Sequence, residues 1–194
     1  MQTARKALRA RLRAQRRAID PSQRLQASRL VADQVDRIFH LRAGQRVALY
    51  SPLTEELDSA PLVELARARG CQVYLPRIER RRHTMRFVAA SEITRANHLG
   101  IAEPLGSQVC GARWLDLVFL PLVGFDAFGM RLGMGGGYYD RAFAFRNLRN
   151  TWRGPKLIGI AYAFQHVPMI EPAAHDVKLD AVVTEGGIVR KHIL

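Results

Sequence analysis

The residues with the strongest chemical signature end the stretch from Leu120 to Arg141. An apolar segment, Leu115 to Leu120, runs into a glycine-rich loop that closes on Arg131-Leu132-Gly133-Met134-Gly135-Gly136-Gly137-Tyr138-Tyr139-Asp140-Arg141. Glycines lack a Cβ, so successive backbone N–H groups can converge on one anion. A helix starting there adds its positive end, about half an elementary charge. Arg131 offers a planar fork that suits phosphate oxygens, and Asp140 is a carboxylate placed to hold Mg²⁺ already bridging phosphates. The plain alternative is a structural glycine turn. Asp176, in His175-Asp176-Val177-Lys178-Leu179-Asp180, could share that Mg²⁺; its alternative is a turn or N-cap acid. Glu56 and Asp58, in the acid-rich loop from Ser51, suit the N–H groups of a heterocycle. Their alternative is a solvated loop, with Asp58 as an N-cap before Pro61.

Nucleophilic catalysis has no signature. No serine sits in G-x-S-x-G, and neither Cys71 nor Cys110 lies beside a histidine. The histidines, His40, His83, His98, His166, His175 and His192, include no i, i+4 pair and no HExxH. No Lys-Ser/Thr follows the glycines, which excludes a Walker A loop. The apolar strand ends over ten residues before Gly133, whereas a dinucleotide fingerprint begins at the strand's end.

These groups must be held by the elements that the apolar pattern predicts. Residues 4–19 read as a helix, with Ala4, Leu8, Leu12 and Ile19 near one face. Arg5, Lys6, Arg9, Arg11, Arg13, Arg16 and Arg17 cover much of the remainder and read mainly as a solvated basic face; a nucleic-acid-binding arm or a cation-carrying lid are the alternatives. Asp20 caps a second helix, with Pro21 at its first position and Gln23 to close a capping box, reaching about Phe39. Arg46–Tyr50, a helix over Leu62–Ala68 stopped by Gly70, and Cys71–Leu75 closed by Pro76 form a βαβ unit with parallel strands. Arg77–Arg82 reads as a basic turn, Met85–Ala89 as a shorter strand suited to antiparallel pairing, and 90–113 as irregular, with Gly100–Pro104 extended. Leu115–Leu120 is the third main strand. After the glycines come a helix from Tyr138 to about Leu148, a linker over Asn150–Pro155, a strand over Lys156–Ala161 and a short turn over Phe164–Val167. The last strand, Asp180–Thr184, turns at Gly186-Gly187 into a hairpin with Ile188–Arg190. The expected fold is one α/β domain: three layers, α/β/α, a mostly parallel central sheet, basic N-terminal helices and a C-terminal hairpin. Such sheets bind ligands outside the carboxyl ends of their strands, which puts residues 51–58, 76–82, 121–137 and 162–176 on one rim.

The chain of 194 residues carries a net charge of +13, nearly all of it arginine, since lysine occurs only at Lys6, Lys156, Lys178 and Lys191. Such a surface attracts nucleic acid, nucleotides or polyanionic small substrates. The longest apolar run is too short to span a bilayer, and no apolar h-region follows the basic start. A cytoplasmic protein with two reduced, buried thiols is expected, without membrane or specific nucleic-acid partners, and monomeric.

The run Pro121, Phe125-Asp126, Gly129 and Arg131 to Arg141 resembles that of the 5-formyltetrahydrofolate cyclo-ligase family, also called 5,10-methenyltetrahydrofolate synthetases. Weaker matches follow in order: Leu8-Arg9, Arg16-Arg17, Tyr50, Glu56-Leu57-Asp58, Leu75-Pro76-Arg77, Gly100-Ile101, Glu103-Pro104, and His175-Asp176 through Asp180 to Thr184. The resemblance implies an enzyme that uses ATP and Mg²⁺ to close 5-formyltetrahydrofolate to 5,10-methenyltetrahydrofolate. The formyl oxygen attacks the γ-phosphate, N10 attacks the activated carbon, and ADP and phosphate are released. It implies ATP contacts from Arg131, Leu132, Gly133, Met134, Gly135, Gly136, Gly137, Tyr138 and Tyr139, with Arg131 and Tyr139 nearest the chemistry. Folate contacts fall on Ser51, Glu56 and residues Met134 to Tyr138, and Mg²⁺ on Asp140 and Asp176. Arg9 matches a basic residue near the phosphates. Many members carry lysine where Arg5 aligns, which leaves that role to Arg5 or Lys6. Some carry a basic residue among the glycines, where this chain has only Gly and Met. The basic surface suits a polyglutamylated folate.

Overall fold

The computed structural model describes residues 2–148 and 154–190. Most of the expected linker (150–153), Lys191 and His192 lie outside the described residues. Helices α1 (Gln2–Arg17) and α2 (Pro21–Phe39) precede β1 (Arg46–Ala48), α3 (Ala60–Ala68), β2 (Gln72–Glu79) and β3 (Thr84–Ala89). Short strands β4 (Thr94–Ala96), β5 (Ala102–Pro104) and β6 (Val109–Cys110) lead to β7 (Leu117–Pro121). Then come β8 (Gly124–Phe125), β9 (Arg131–Leu132), α4 (Tyr138–Phe143), β10 (Lys156–Ile160), β11 (Ala181–Thr184) and β12 (Gly187–Arg190).

Eight strands form the central sheet in the order β12-β11-β10-β7-β1-β2-β3-β6. The five inner strands from β11 to β2 are parallel; β12, β3 and β6 pair antiparallel. The two-residue side-chain period sorts the core. Leu117 and Phe119 face α2 and α3, together with Val47, Leu49 and Ile158. Val118 and Leu120 face the opposite layer, where Phe143 of α4 and Val177 and Leu179 lie. α1 belongs to neither layer. Its Leu12 packs with Val123, Met130, Leu132, Val167 and Ile170 across the carboxyl-end rim. The chain leaves β1 towards β2 and returns on β1's other side as β7, so the direction of winding reverses between β1 and β7. The crevice beyond those two strand ends is the natural ligand site of such a sheet.

Four local expectations change. β2 does not stop at Pro76; it continues to Glu79, with Pro76 opposite Phe87. Val73 bonds Ala90 across the β2–β3 pair, so the backbone nitrogen of Pro76 points the other way, past the end of β1, where no donor is required. The stretch between Pro121 and Gly137 is not one open loop: β8 and β9 form a hairpin inside it. The buried Asp126 fastens its turn, accepting from the N–H groups of Phe128 and Met130 and, across the chain, of Ile170, each at 2.9 Å. The region expected to be irregular contains the β4–β5 hairpin. Finally, the α-helix from Tyr138 ends at Phe143 and tightens to 3₁₀ winding over Ala144–Leu148, where Phe143 packs on Phe87 at 5.6 Å and Arg146 grips Asp180.

Candidate active site

A cavity of about 1190 Å³ opens at the carboxyl-end rim. All four expected rim segments reach it: through Ser51 and Glu56; Pro76 and Ile78; Pro121, Leu122, Arg131 and Gly133–Gly137; and Ala173, His175 and Asp176. Tyr138, Tyr139 and Asp140 line it from the start of α4. Two further walls complete it, the first unforeseen and the second bringing in the expected Arg5, Lys6 and Arg9. Asn97, Leu99, Ile101 and Glu103 of the β4–β5 hairpin form one, and Arg5, Lys6, Arg9 and Arg13 of α1 the other.

α1 is fixed over the cavity by cations at four-residue spacing, which places them along one stripe of the helix. Arg5 donates through both terminal nitrogens to Asp176 Oδ2 at 3.1 Å. Arg9 Nε donates to the carbonyl of Gly133 at 2.8 Å. Arg13 and Arg16 both donate to Glu55 Oε1, at 2.6 and 2.7 Å, and Arg17 reaches Glu55 Oε2 at 3.3 Å. From Arg5 to Arg16 is about 16 Å of helix at 1.5 Å per residue. Asp176 and the Glu55–Glu56 acids therefore mark opposite ends of the cavity, with the glycine loop between them.

At one end, Asp140 Oδ1 accepts from Arg131 at 2.6 Å and from the Val177 N–H at 3.1 Å. Arg131 is 6% exposed and also donates to the Val177 carbonyl. Its fork is thus turned to Asp140 and the backbone, so it orients the aspartate as well as lining the cavity. Between the two candidate N-terminal cations, Arg5 is tied to Asp176, whereas Lys6 makes no ion pair among the described residues. Burial and the nearby charges of Arg5 and Arg13 lower the Arg9 pKa. The open glycine loop carries positive φ at Gly135 (101°) and Gly137 (64°), which L side chains resist. Arg141 donates to the carbonyls of Gly136 and His83 and lies over the Tyr138 ring, stiffening the loop from outside.

At the other end, Glu56 is 6% exposed. Its Oε2 accepts the Leu53 N–H at 3.0 Å, and its Oε1 lies 3.9 Å from Arg16 Nη1. Burial raises the Glu56 pKa, against the Leu53 hydrogen bond and the charge of Arg16. Burial, and next the charge of Glu56, push the Tyr139 phenol well above its ordinary range. Asp58 takes its structural role, accepting the Ala60 N–H at 2.9 Å as α3 starts.

Arg16 is the largest correction to the sequence expectation. A helix arginine assigned to a solvated face is 1% exposed. Leu8, Leu12 and Arg16 recur every four residues, so Arg16 continues the apolar stripe; that spacing was the available signal. Cys110 is buried as expected, but Cys71 is only half-buried.

The family model of the 5-formyltetrahydrofolate cyclo-ligase family matches residues 1–185. The Escherichia coli (strain K12) 5-formyltetrahydrofolate cyclo-ligase is 33% identical over 185 residues, covering 89% of this chain and 96% of that protein. The Mus musculus 5-formyltetrahydrofolate cyclo-ligase is 28% identical over 192 residues, covering 94% of each. The solved structure of Aquifex aeolicus 5,10-methenyltetrahydrofolate synthetase matches with a TM-score of 0.81 at 26% identity, over 98% of this chain and 94% of that one. This chain belongs to the 5-formyltetrahydrofolate cyclo-ligase family.

Proposed function

We propose that this enzyme converts 5-formyltetrahydrofolate to 5,10-methenyltetrahydrofolate, using ATP and Mg²⁺ and releasing ADP and phosphate. The observation that carries the reading is one cavity with a paired-carboxylate, arginine-rich end and a buried-glutamate end, bridged by an open glycine loop. Its volume of about 1190 Å³ exceeds the roughly 300–1,000 Å³ of a one-ligand pocket. That is consistent with two ligands side by side.

The residues present fit a magnesium ion. Asp140 uses Oδ1 and Asp176 uses Oδ2 for hydrogen bonds, so each keeps one oxygen without a hydrogen-bond donor among the described residues. No cluster of three or more metal-ligating side chains occurs among the described residues. Phosphate oxygens and water would complete the shell, the usual way Mg²⁺ is held. Bound there, the ion supplies charge neutralisation on the transferring phosphate. Arg131 holds Asp140 in place for it. Arg9 and Lys6 line the cavity from α1 and would hold the phosphates, together with backbone N–H groups of the glycine loop. Glu56 accepts from the pterin N–H groups, and Ser51 lines that pocket.

In this scheme the formyl oxygen attacks the γ-phosphorus and ADP leaves. N10 then adds to the activated formyl carbon, the C–O bond to phosphate breaks, and the N10 proton is released. No side chain bonds to substrate. The protein contributes orientation and charge, in keeping with the absence of a nucleophile signature. Purified protein given Mg-ATP and 5-formyltetrahydrofolate is expected to develop the near-ultraviolet absorbance of the methenyl product, with one ADP per turnover. No absorbance change from folded, magnesium-replete protein would overturn the assignment.

A further inference from the structure

Arg16 is a buried arginine whose contacts all converge on the folate end of the cavity. Its Nη2 donates to Glu55 Oε1 at 2.7 Å and lies 3.9 Å from the Met134 sulfur. Its Nη1 donates to the Leu122 carbonyl at 3.3 Å and lies 3.9 Å from Glu56 Oε1. The Nε has no partner among the described residues, so the two terminal nitrogens alone set the guanidinium plane. Glu55 is held below its ordinary pKa range although burial opposes its charge, because Arg13 and Arg16 hydrogen-bond it. It is therefore a fixed anion against which Arg16 is oriented. A planar, always-charged fork suits this task better than an ammonium.

We propose that Arg16 is a positioning residue for the Glu56 carboxylate, with Glu55 as the anion that orients Arg16. The proposal rests on the reading of Glu56 as the acid that accepts from the folate. A buried carboxylate reverts to its neutral form unless a cation stands near it. A neutral Glu56 would offer the pterin one acceptor fewer. The other groups facing Glu56 do not replace Arg16. Arg13 acts on Glu56 less strongly than Arg16 does and is itself bonded to Glu55; Glu55 itself repels Glu56; Tyr50 and Tyr139 are neutral phenols whose own ionisation Glu56 opposes. Without the Arg16 charge, protonation of Glu56 extends to higher pH. The acid side of the folate-binding profile then moves upward.

The test is the Kd for 5-formyltetrahydrofolate, measured by calorimetry without ATP at pH 6 and pH 8, with the KM for ATP measured alongside. Arg16→Met should weaken folate about tenfold at pH 6, the loss of one charged contact, and distinctly less at pH 8. Its KM for ATP should stay within about twofold, well under that tenfold loss. Arg16→Lys should recover most of the pH 6 affinity. Arg16→Gln keeps donors for Glu55 and Leu122 and should show the same pH-selective loss, so poor folding of Arg16→Met leaves the test standing. In a Glu56→Gln background, the second substitution Arg16→Met should add little. Equal losses at both pH values, or a loss that persists in the Glu56→Gln background, would overturn the proposal. Glu56→Gln protein that binds folate like the wild type would instead sink the assignment of Glu56 to the folate, and this inference with it.

Discussion

At the scale of single residues, the folate role proposed for Glu56 sets function against stability. Its folded-state pKa is raised, chiefly by burial, so the folded chain binds its proton more tightly than the unfolded chain. Stability is then lost as pH rises through the folded value. Above that value the ionised carboxylate is a burden on the apo fold. Glu56→Gln removes that charge and keeps an acceptor for the Leu53 N–H. The variant should melt about 2–4 °C higher at pH 7, the shift made by about 1 kcal/mol in a chain of this length, and the gain should vanish on acidification. Its 5-formyltetrahydrofolate Kd should rise about 10–100-fold, since a hydrogen bond to a charged group is lost. Scanning calorimetry at two pH values, with folate titration, reads both. A variant less stable than wild type at pH 7 would contradict the burial argument. Glu55, one residue away, has the opposite sign. Its lowered pKa means that its contribution is present above the ordinary carboxylate range and fades as pH falls through the lowered value.

At the scale of elements, everything depends on how α1 seats on the rim. The contact at its middle is Leu12 over Gly124, where an added Cβ would stand 2.7 Å from Leu12 Cδ1. Leu12 is 1% exposed and boxed in by Val123, Met130 and Leu132, so its Cδ1 has little room to turn aside, and Gly124→Ala should push α1 off the β8–β9 hairpin, at about 1–3 kcal/mol for an overpacked contact. Because Arg5, Arg9 and Arg16 ride on the same helix, both ATP and folate affinity should fall together, and trypsin should cut within α1 sooner than in the wild type. Loss of one ligand alone would show that the two ends are not coupled through α1. The central sheet was legible in the sequence because its strands are apolar runs punctuated by Gly and Pro, and the glycine loop because Gly135 and Gly137 need positive φ. Asp140, Asp176 and Glu56 fall where the carboxyl-end rule places them. Of the β4–β5 hairpin only the extended Gly100–Pro104 was legible; its partner Thr94–Ala96 is exposed throughout and has no apolar alternation to read. Nor was Glu55's hold on α1, because its partners lie 38 to 42 residues away and no local spacing encodes such a pairing.

At the scale of the whole molecule, the net charge of +13 invites the thought that α1 is a nucleic-acid arm. Its packing argues otherwise. A free arm bearing the seven cations of α1 would release counterions on binding and give a log–log salt slope of about −6, at about −0.9 per phosphate contact. In the folded chain Arg5, Arg9, Arg13 and Arg16 are turned to Asp176, the Gly133 carbonyl and Glu55, and the exposed Arg17 also reaches Glu55. Arg11 stands on the exposed side and is outside the cavity lining. Binding of a fluorescent random oligonucleotide should therefore be weak, indifferent to sequence and abolished by moderate salt. Arg11→Ala should change its salt slope by at most about one, the share of a single phosphate contact. Arg11→Ala should also leave turnover of 5-formyltetrahydrofolate unchanged. Arg5, Arg9, Arg13 and Arg16 are the α1 cations that the fold has partly or wholly withdrawn from solvent. Sequence-selective binding that survives 200 mM salt, or a slope near that of the free arm, would show that α1 leaves the rim in solution. The docking of α1 by Glu55 and Asp176 would then have to be abandoned.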